Sequence, residues 1–440
     1  MKGGINHAQS PKYNICAWNR LPTENDYVGE LIISGNSIDF LCRDRSHTLP
    51  AIYIGNDSAH SYAVVSQGLK YRPVTTNHSL AHASAYSVKY VLSSAGSISP
   101  DDINENSLTG ISFTFPELPD WFVDKYAVKL CQTKDGRAAA CEVDTPTLLL
   151  HEKAPVIELS FASETLCESI SKDCRTEAAV KRWPRIFISY EHQTSIHSAL
   201  NDVRALMQFW GLIIGHVSSV SSIEVSLSSG DYALYINDDL SYNDYEFRIP
   251  YATVTAYEAD GLHILDMFSK WYSFFCDDKF ALIRELFFYI NSHREYFAED
   301  LFLSYARILE SYHKSKPKGN DRAYLYDRLC ALDNEYFNII TLNDSFAGNS
   351  IGPSKNASDQ YIHKIVNTRN YYTHAAPLNN KETLNFQELA HTIKVLKALT
   401  IMIFFDIMGF DKSHQLKSIC RYADLSIQVH PLIEEHAGKQ

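Results

Sequence analysis

The 440-residue sequence lacks the short motifs that identify several common enzyme classes. It contains no Gly-x-x-x-x-Gly-Lys-Ser/Thr phosphate loop, no Gly-x-Gly-x-x-Gly and no His-Glu-x-x-His. Its nine cysteines are scattered and form no Cys-x-x-Cys pair, so neither a zinc site nor a redox pair is indicated. Nucleotide hydrolysis by a phosphate loop and metalloprotease chemistry therefore have no support. We expect reduced thiols, no metal and no cofactor.

Long hydrophobic runs are also missing. The longest apolar run near the C-terminus, residues 398–405, is far shorter than the roughly 18 residues that a membrane span needs. The N-terminus lacks the basic and apolar segments of a secretory signal, so we expect a cytoplasmic protein with no membrane partner. The 398–405 run is apolar around most of a helix, and one bundle rarely buries every face of a helix. This predicts a homodimer through the helical part of the chain.

Positive charge is scarce, and its distribution is uneven. The chain has 40 Lys and Arg against 52 Asp and Glu, so no global positive field attracts it to nucleic acid or to anionic membranes. Residues 262–440 contain 20 basic and 21 acidic residues, which leaves 20 against 31 in residues 1–261. Only the near-neutral second part is therefore suited to a polyanion, and any such partner must be bound locally.

The first part reads mainly as strands. The turn residues Gly35 and Asn36 between 31–33 and 38–41 predict a tight hairpin. A second hairpin is predicted at 223–227 with 232–236, where apolar and polar residues alternate as in half-buried antiparallel sheet. Further strands are predicted at 51–54, 86–92, 111–115, 156–161 and 186–190. One helix is predicted over residues 196–210, with Thr194 or Ser195 as its N-cap.

The pattern becomes helical after residue 261 and remains so. Helices are predicted at 262–275, 279–297, 299–314, 321–340, 359–374, 386–408 and 413–422. The fold class is therefore an α+β multidomain protein, with a β-rich region over residues 1–260 and an all-α bundle over residues 261–440. The residues leave open whether the β-rich region forms one lobe or two.

Arg369 and His374 are the most informative pair of polar residues. On a helix, Arg369 falls inside the apolar stripe formed by Ile362, Ile365 and Val366, so its guanidinium points to the core or to a cleft between helices. A buried guanidinium is costly without an anion, which predicts a carboxylate partner or a phosphate-binding role.

Pro377 disfavours helix at the preceding residue, so this helix should end near His374 and let both side chains converge at one opening. An arginine followed by a histidine after four to six intervening residues also occurs by chance at Arg72, Arg185 and Arg307, of which only Arg307 with His313 is in a helical setting. Residues 348–352 fit the Gly-x-Ser-x-Gly pattern of serine hydrolases, but Pro353 and the helical surroundings do not fit that fold.

These features resemble a known family. Arg-Asn, three further residues and His, late in an all-helical C-terminal part, resemble the catalytic motif of the HEPN ribonuclease superfamily. The segments "GELIISGNSIDF" and "SLTGISFTFPELPDWF" resemble the N-terminal domain of the ApeA family. The resemblance implies an anti-phage effector in which a HEPN dimer cleaves RNA, tRNA in particular, to stop growth of the infected cell. It also implies that the N-terminal region senses a phage-derived trigger or inhibitor.

Each candidate site residue has a role and a plainer alternative. His374 is suited to proton transfer and Arg369 to the phosphate oxygens, while Asn370 orients a phosphate or caps the helix. Tyr371 and Tyr372 either stack on RNA bases or pack in the core. Glu310 either pairs with Arg369, as an acidic residue does in related HEPN domains, or is a surface glutamate. RNA-backbone contacts are predicted, with a solvated loop as the alternative, for Lys314, Lys316, Lys318 and Arg322.

The sequence therefore predicts a metal-independent HEPN endoribonuclease that acts through 2′-hydroxyl attack. The alternative is a non-catalytic dimerisation or nucleotide-binding module, in which Arg369 serves only in an ion pair and the β-rich region senses a ligand.

Overall fold

A computed structural model gives the fold of the chain. It describes residues 12–13, 18–20, 26–27, 29–34, 37–42, 51–56, 59–70, 84–99, 103–115, 118, 130–132, 138–140, 147–170, 175–215, 220–236, 264–292, 296–316, 324–343, 355–374 and 383–421. The chain divides into two units. The first consists of Met1–Leu118, Tyr126–Val203 and Ser219–Ser241, and the second of Pro119–Lys125, Arg204–Ser218 and Tyr242–Gln440.

The first unit contains a 14-stranded antiparallel sheet and a two-stranded one. The strands are β1 (Lys12–Tyr13), β2 (Trp18–Arg20), β3 (Asp26–Tyr27), β4 (Gly29–Ser34), β5 (Ser37–Cys42), β6 (Ala51–Asn56), β7 (Ser61–Lys70), β8 (Ser84–Ser94), β9 (Leu108–Thr114), β10 (Leu130–Gln132), β11 (Ala138–Ala140), β12 (Leu148–His151), β13 (Val156–Ile170), β14 (Arg175–Thr194), β15 (Ser221–Leu227) and β16 (Gly230–Ile236). The main sheet runs β12-β13-β14-β9-β15-β16-β8-β7-β6-β2-β3, with β5 on β8, β4 on β5 and β1 on β4.

Both predicted hairpins are present. Strands β4 and β5 pair from Gly29 opposite Cys42 to Ser34 opposite Ser37, and β15 pairs with β16. Alternate apolar side chains of each strand, such as Leu31 with Ile33 and Ile223 with Val225, join the core, because side chains alternate between faces with a period of two. The predicted β-rich region is therefore confirmed.

One helix, α1 (Ile196–Ile214), follows β14. It begins where predicted, because the Ser195 hydroxyl accepts a hydrogen bond from the backbone N–H of Ser198 at 3.0 Å. The end of this helix, from Arg204 onward, belongs to the second unit. There the carbonyl of Ala205 accepts a hydrogen bond from the indole N–H of Trp271 at 2.9 Å.

The remaining helices form the second unit. They are α2 (Ile264–Phe275), α3 (Ala281–Ser292), α4 (Ala298–Ser315), α5 (Leu325–Glu335), α6 (Ile339–Leu342), α7 (Lys355–His374), α8 (Phe386–Met408) and α9 (Lys412–Arg421). The predicted bounds of α8 are reproduced, and it ends because Gly409 adopts a left-handed φ of 87°. The all-α character of this part is confirmed.

The single helix predicted over residues 321–340 is wrong. It is interrupted after Glu335, and Phe337 and Asn338 have positive φ values of 61° and 54°. The buried Asp333 carboxylate accepts the backbone N–H of Ile340 at 2.7 Å and so caps the start of α6. The hydrogen bond between Asp333 and Ile340, which can form only after the chain has turned, therefore stabilises the interruption between α5 and α6.

The 398–405 run does not support the dimer in the way the sequence suggested. All of its residues are buried within one chain, because α8 packs against α2, α4, α6 and α9. Phe404 alone contacts the rings of Trp271, Phe274, Phe287 and Phe288. A homodimer must therefore use a different surface. In the described part of the chain, no helix is long and apolar enough to cross a membrane.

Candidate functional site

Helix α7 places Arg369 against α4. One terminal nitrogen of its guanidinium, Nη2, donates to Glu310 Oε2 at 3.2 Å, and the other, Nη1, donates to Asn370 Oδ1 at 3.3 Å. The Arg369 side chain is 28% exposed, so its guanidinium is held from two sides yet remains reachable from solvent. The expected carboxylate partner is therefore Glu310, and Asn370 orients the guanidinium rather than capping the helix.

Glu310 has a second cationic partner on α5. Its other carboxylate oxygen, Oε1, lies 3.5 Å from Arg328 Nη1, and the same nitrogen donates to the Glu310 backbone carbonyl at 3.3 Å. One carboxylate thus lies between two guanidinium groups, which leaves a formal charge of +1 on the three side chains. This excess positive charge favours binding of an anion at Arg369, which is more exposed than Arg328.

Arg328 is a site residue that the sequence analysis missed. It lies on the same stripe of α5 as the buried Leu325, Leu329 and Leu332. Arg369 was singled out because its guanidinium falls among apolar helix positions. The same argument applies to Arg328 and would have identified it from the sequence.

His374 is the last residue of α7 and is exposed, and the helix ends there as Pro377 predicts. Helical geometry places His374 about 140° around the axis and about 7.5 Å along it from Arg369. Within the described residues, no contact joins the two side chains. A single copy of α7 therefore presents the guanidinium to α4 and the imidazole to solvent.

Two contacts with α8 hold α7 in place. The Tyr361 and Thr392 hydroxyls share a buried hydrogen bond of 2.8 Å, and Lys364 Nζ donates to Glu388 Oε1 at 2.9 Å. Glu388 also belongs to the capping box that starts α8. The backbone that carries Arg369 is therefore fixed by α8 while its side chain is held by α4.

The two tyrosines of the motif pack against protein. Their rings lie 5.1 Å apart, and the Tyr372 ring lies 6.5 Å from that of Phe302 on α4. Burial, followed by the nearby charge of Glu299, raises the pKa of the Tyr372 hydroxyl. Both side chains are only partly buried, so one edge of each is left to meet a ligand.

The predicted basic run is split. Lys314 is exposed, whereas Lys316 Nζ lies 2.5 Å from Glu335 Oε2 and 5.0 Å from the Tyr312 ring centre. Lys318 and Arg322 lie outside the described residues, as do residues 348–352 of the serine hydrolase pattern. Lys316 is thus already neutralised, and Lys314 is the cation of this run that the structure presents to solvent.

The rival pair, Arg307 and His313, lies on α4. Arg307 is exposed, and the Nδ1 atom of His313 is buried without a hydrogen-bond partner. Burial, followed by the positive charges of Arg328 and Lys316, lowers the pKa of His313. This shift disfavours the charged form of His313. Across the residues that the structure describes, no three His, Cys, Asp or Glu side chains group as metal ligands.

Comparison with known families identifies both parts of the chain. The family model described as Apea-like HEPN matches residues 303–414, which include Glu310, Arg328, Arg369 and His374. The family model described as ApeA N-terminal domain 1 matches residues 18–271, more than half of the chain. No curated protein and no solved structure matches.

Proposed function

The chain belongs to the ApeA family, with an ApeA N-terminal domain followed by a HEPN domain, and we propose from this that it is a metal-independent endoribonuclease. The observation that carries the proposal is the half-exposed guanidinium of Arg369. Glu310 on α4 and Asn370 on α7 orient this guanidinium. Helix α7, which carries Arg369, ends at the exposed His374. Arg369 and His374 both lie within residues 303–414, which the HEPN family model matches.

The proposed reaction is attack of an RNA 2′-hydroxyl on the adjacent phosphorus. The 2′-oxygen forms a bond to phosphorus, the bond from phosphorus to the 5′-oxygen breaks, and the products carry a 2′,3′-cyclic phosphate and a 5′-hydroxyl. A histidine accepts the 2′-hydroxyl proton, and a histidine donates a proton to the leaving 5′-oxygen. Arg369 stabilises the charge that develops on the non-bridging oxygens.

Two copies of the chain supply these groups in the proposed enzyme. HEPN domains commonly dimerise and bind RNA. Because α7 points Arg369 and His374 in different directions, His374 of a second copy is suited to approach a phosphate held at Arg369. Two copies of His374 in one cleft then act as base and acid.

We assign the enzyme to anti-phage defence by abortive infection, with tRNA or another cellular RNA as its substrate. In this proposal residues 261–440 form the ribonuclease domain. Residues 1–260 form the sensing region that responds to a phage-derived trigger or inhibitor. The basis for these assignments is membership of the ApeA family.

The ion pair between Arg369 and Glu310 also favours a second candidate. In it, the HEPN domain is a non-catalytic dimerisation or nucleotide-binding module and the guanidinium serves only to join α7 to α4. Such a module binds RNA or nucleotide without turnover.

One assay separates the two candidates. Purified protein is incubated with total tRNA and with a labelled single-stranded RNA, in EDTA, and the product ends are determined. The ribonuclease proposal expects cleavage in EDTA with 2′,3′-cyclic phosphate ends. A requirement for added Mg²⁺ or Mn²⁺ overturns the mechanism, and binding without cleavage, also after addition of phage lysate as trigger, supports the module.

A further inference from the structure

Arg328 differs from Arg369 in how deeply it lies. Its side chain is 5% exposed, against 28% for Arg369, although both contact the Glu310 carboxylate. A phosphate in solvent can therefore reach Arg369 but not Arg328. Arg328 is a permanent partner of Glu310, since a buried guanidinium without an anion is strongly destabilising.

The two contacts to Glu310 use different oxygens. Arg369 Nη2 meets Oε2 at 3.2 Å, whereas Arg328 Nη1 meets Oε1 at 3.5 Å and is anchored to the Glu310 backbone carbonyl at 3.3 Å. Arg369 can consequently leave Oε2 while Oε1 keeps its cation. Binding of a phosphate at Arg369 requires such an exchange, because Oε2 and the phosphate oxygens compete for the same N–H donors.

We propose that Arg328 is a positioning residue that enables this exchange by neutralising Glu310 when Arg369 transfers to a phosphate. Without Arg328, the full negative charge of Glu310 holds Arg369 more tightly and also repels the incoming phosphate. With Arg328, the carboxylate remains paired throughout. The inference rests on the proposed function in one respect, namely that Arg369 binds a phosphate of RNA.

A purely structural role for Arg328 makes a different prediction. If Arg328 only ties α5 to α4, its loss lowers stability, and a neutral residue at position 310 brings no recovery. If Arg328 acts through the charge of Glu310, removal of that charge restores what the loss of Arg328 takes away. The double variant therefore distinguishes the two roles.

The experiment measures binding of a fluorescein-labelled 2′-O-methyl RNA oligonucleotide, which cannot be cleaved, by fluorescence anisotropy in the full-length protein. We expect Arg328→Gln to weaken binding about tenfold per folded molecule, and Glu310→Gln with Arg328→Gln to bind within about twofold of Glu310→Gln alone. If Arg328→Gln does not fold, the comparison of the double variant with Glu310→Gln still tests the proposal. There, loss of affinity beyond twofold overturns it.

Arg284 on α3 offers a matched control. It is also buried, donates to the Phe275 carbonyl and lies 3.9 Å from the exposed Glu285, but it does not contact Glu310. Arg284→Gln should lower the melting temperature and leave oligonucleotide affinity per folded molecule unchanged. An equal loss of affinity in Arg284→Gln and Arg328→Gln would overturn the proposal.

Failure of the inference is distinguishable from failure of the proposed function. Wild-type binding by Arg369→Gln removes Arg369 as a phosphate ligand and contradicts both. Weakened binding by Arg369→Gln together with wild-type binding by Arg328→Gln contradicts only the role of Arg328. Full binding without any cleavage of ordinary RNA contradicts the ribonuclease and leaves the role of Arg328 intact.

Discussion

The Thr368 hydroxyl accepts a hydrogen bond from the backbone N–H of Leu384 at 2.8 Å. The same hydroxyl donates to the Lys364 carbonyl at 2.7 Å, and the residue is 1% exposed. This one side chain therefore joins α7, at the position before Arg369, to the segment that leads into α8. A buried N–H that loses such a partner costs the protein its desolvation energy.

We expect Thr368→Val to lower the free energy of unfolding by about 1–3 kcal/mol, because the Leu384 N–H is left buried and unpaired. Thr373→Val is the matched control, since the exposed Thr373 hydroxyl bonds only the Arg369 carbonyl on its own helix. Its effect should stay within about 0.5 kcal/mol. Equal melting temperatures for the two variants would contradict the role of Thr368.

His374→Ala should abolish RNA cleavage, with a loss of about 10²-fold or more, because the imidazole is the proposed proton carrier. Since His374 is exposed, the melting temperature should stay close to that of the wild type. The measurements are single-turnover cleavage and differential scanning calorimetry. A folded His374→Ala protein that cleaves at the wild-type rate removes His374 from the mechanism.

Arg369→Lys should be nearly as damaging to cleavage as Arg369→Ala, with both losing about 10²-fold or more. The lysine ammonium keeps the charge but cannot contact two phosphate oxygens with the planar two-point geometry of a guanidinium. If Arg369 only forms an ion pair, activity will fall in step with the folded fraction. Cleavage and melting temperature measured on both variants separate these outcomes, and near-normal cleavage by Arg369→Lys contradicts the assignment.

Sedimentation at micromolar concentration should show a homodimer, and the site should draw on both copies. We expect mixed dimers of one wild-type chain and one His374→Ala chain to lose cleavage by about 10²-fold or more, because the shared cleft then contains only one of the two histidines that act as base and acid. Dimers of two wild-type chains, isolated in the same way, are the control. An active monomer, or about half of the wild-type rate in isolated mixed dimers, contradicts the shared site.

Acid should destabilise the wild-type protein more than the His313→Gln variant. Burial lowers the pKa of His313 below its ordinary 6.5, so the unfolded chain binds the proton at a higher pH than the folded chain does. The free energy of unfolding therefore falls as pH drops through 6.5 toward the lower folded value. Between pH 7.5 and 5.5 the melting temperature of the wild type should fall further than that of His313→Gln, and parallel curves would contradict this.

The end of α7 could be predicted from sequence because its cause is local. Pro377 acts on its neighbour through backbone sterics, and the helix ends at His374. The pairing of Arg369 with an anion also followed, since burial of a guanidinium demands one. Glu310 was offered as its partner by the resemblance to HEPN domains alone, because helical spacing cannot tell a surface carboxylate from one that faces another helix.

The break after Glu335 could not be predicted, for a related reason. No glycine or proline marks it, and Phe337 and Asn338 both adopt left-handed conformations, which asparagine tolerates but phenylalanine rarely adopts. The Asp333 carboxylate stabilises the turn by accepting the Ile340 and Thr341 N–H groups. The sequence argument for dimerisation failed in the same way, because the bundle itself covers every face of residues 398–405.

Helix α1 makes the chain hard to separate into independently expressed parts. A fragment that starts at residue 261 lacks Ala205 and Phe209, which give Trp271 a hydrogen-bond acceptor and Phe268 a ring contact at 5.2 Å. A fragment that stops at residue 203 cuts through α1 and keeps only the first part of this helix. Transfer of the helical part onto another N-terminal region, by recombination or by engineering, therefore has to include residues 204–218 or replace them with a segment of the same apolar character.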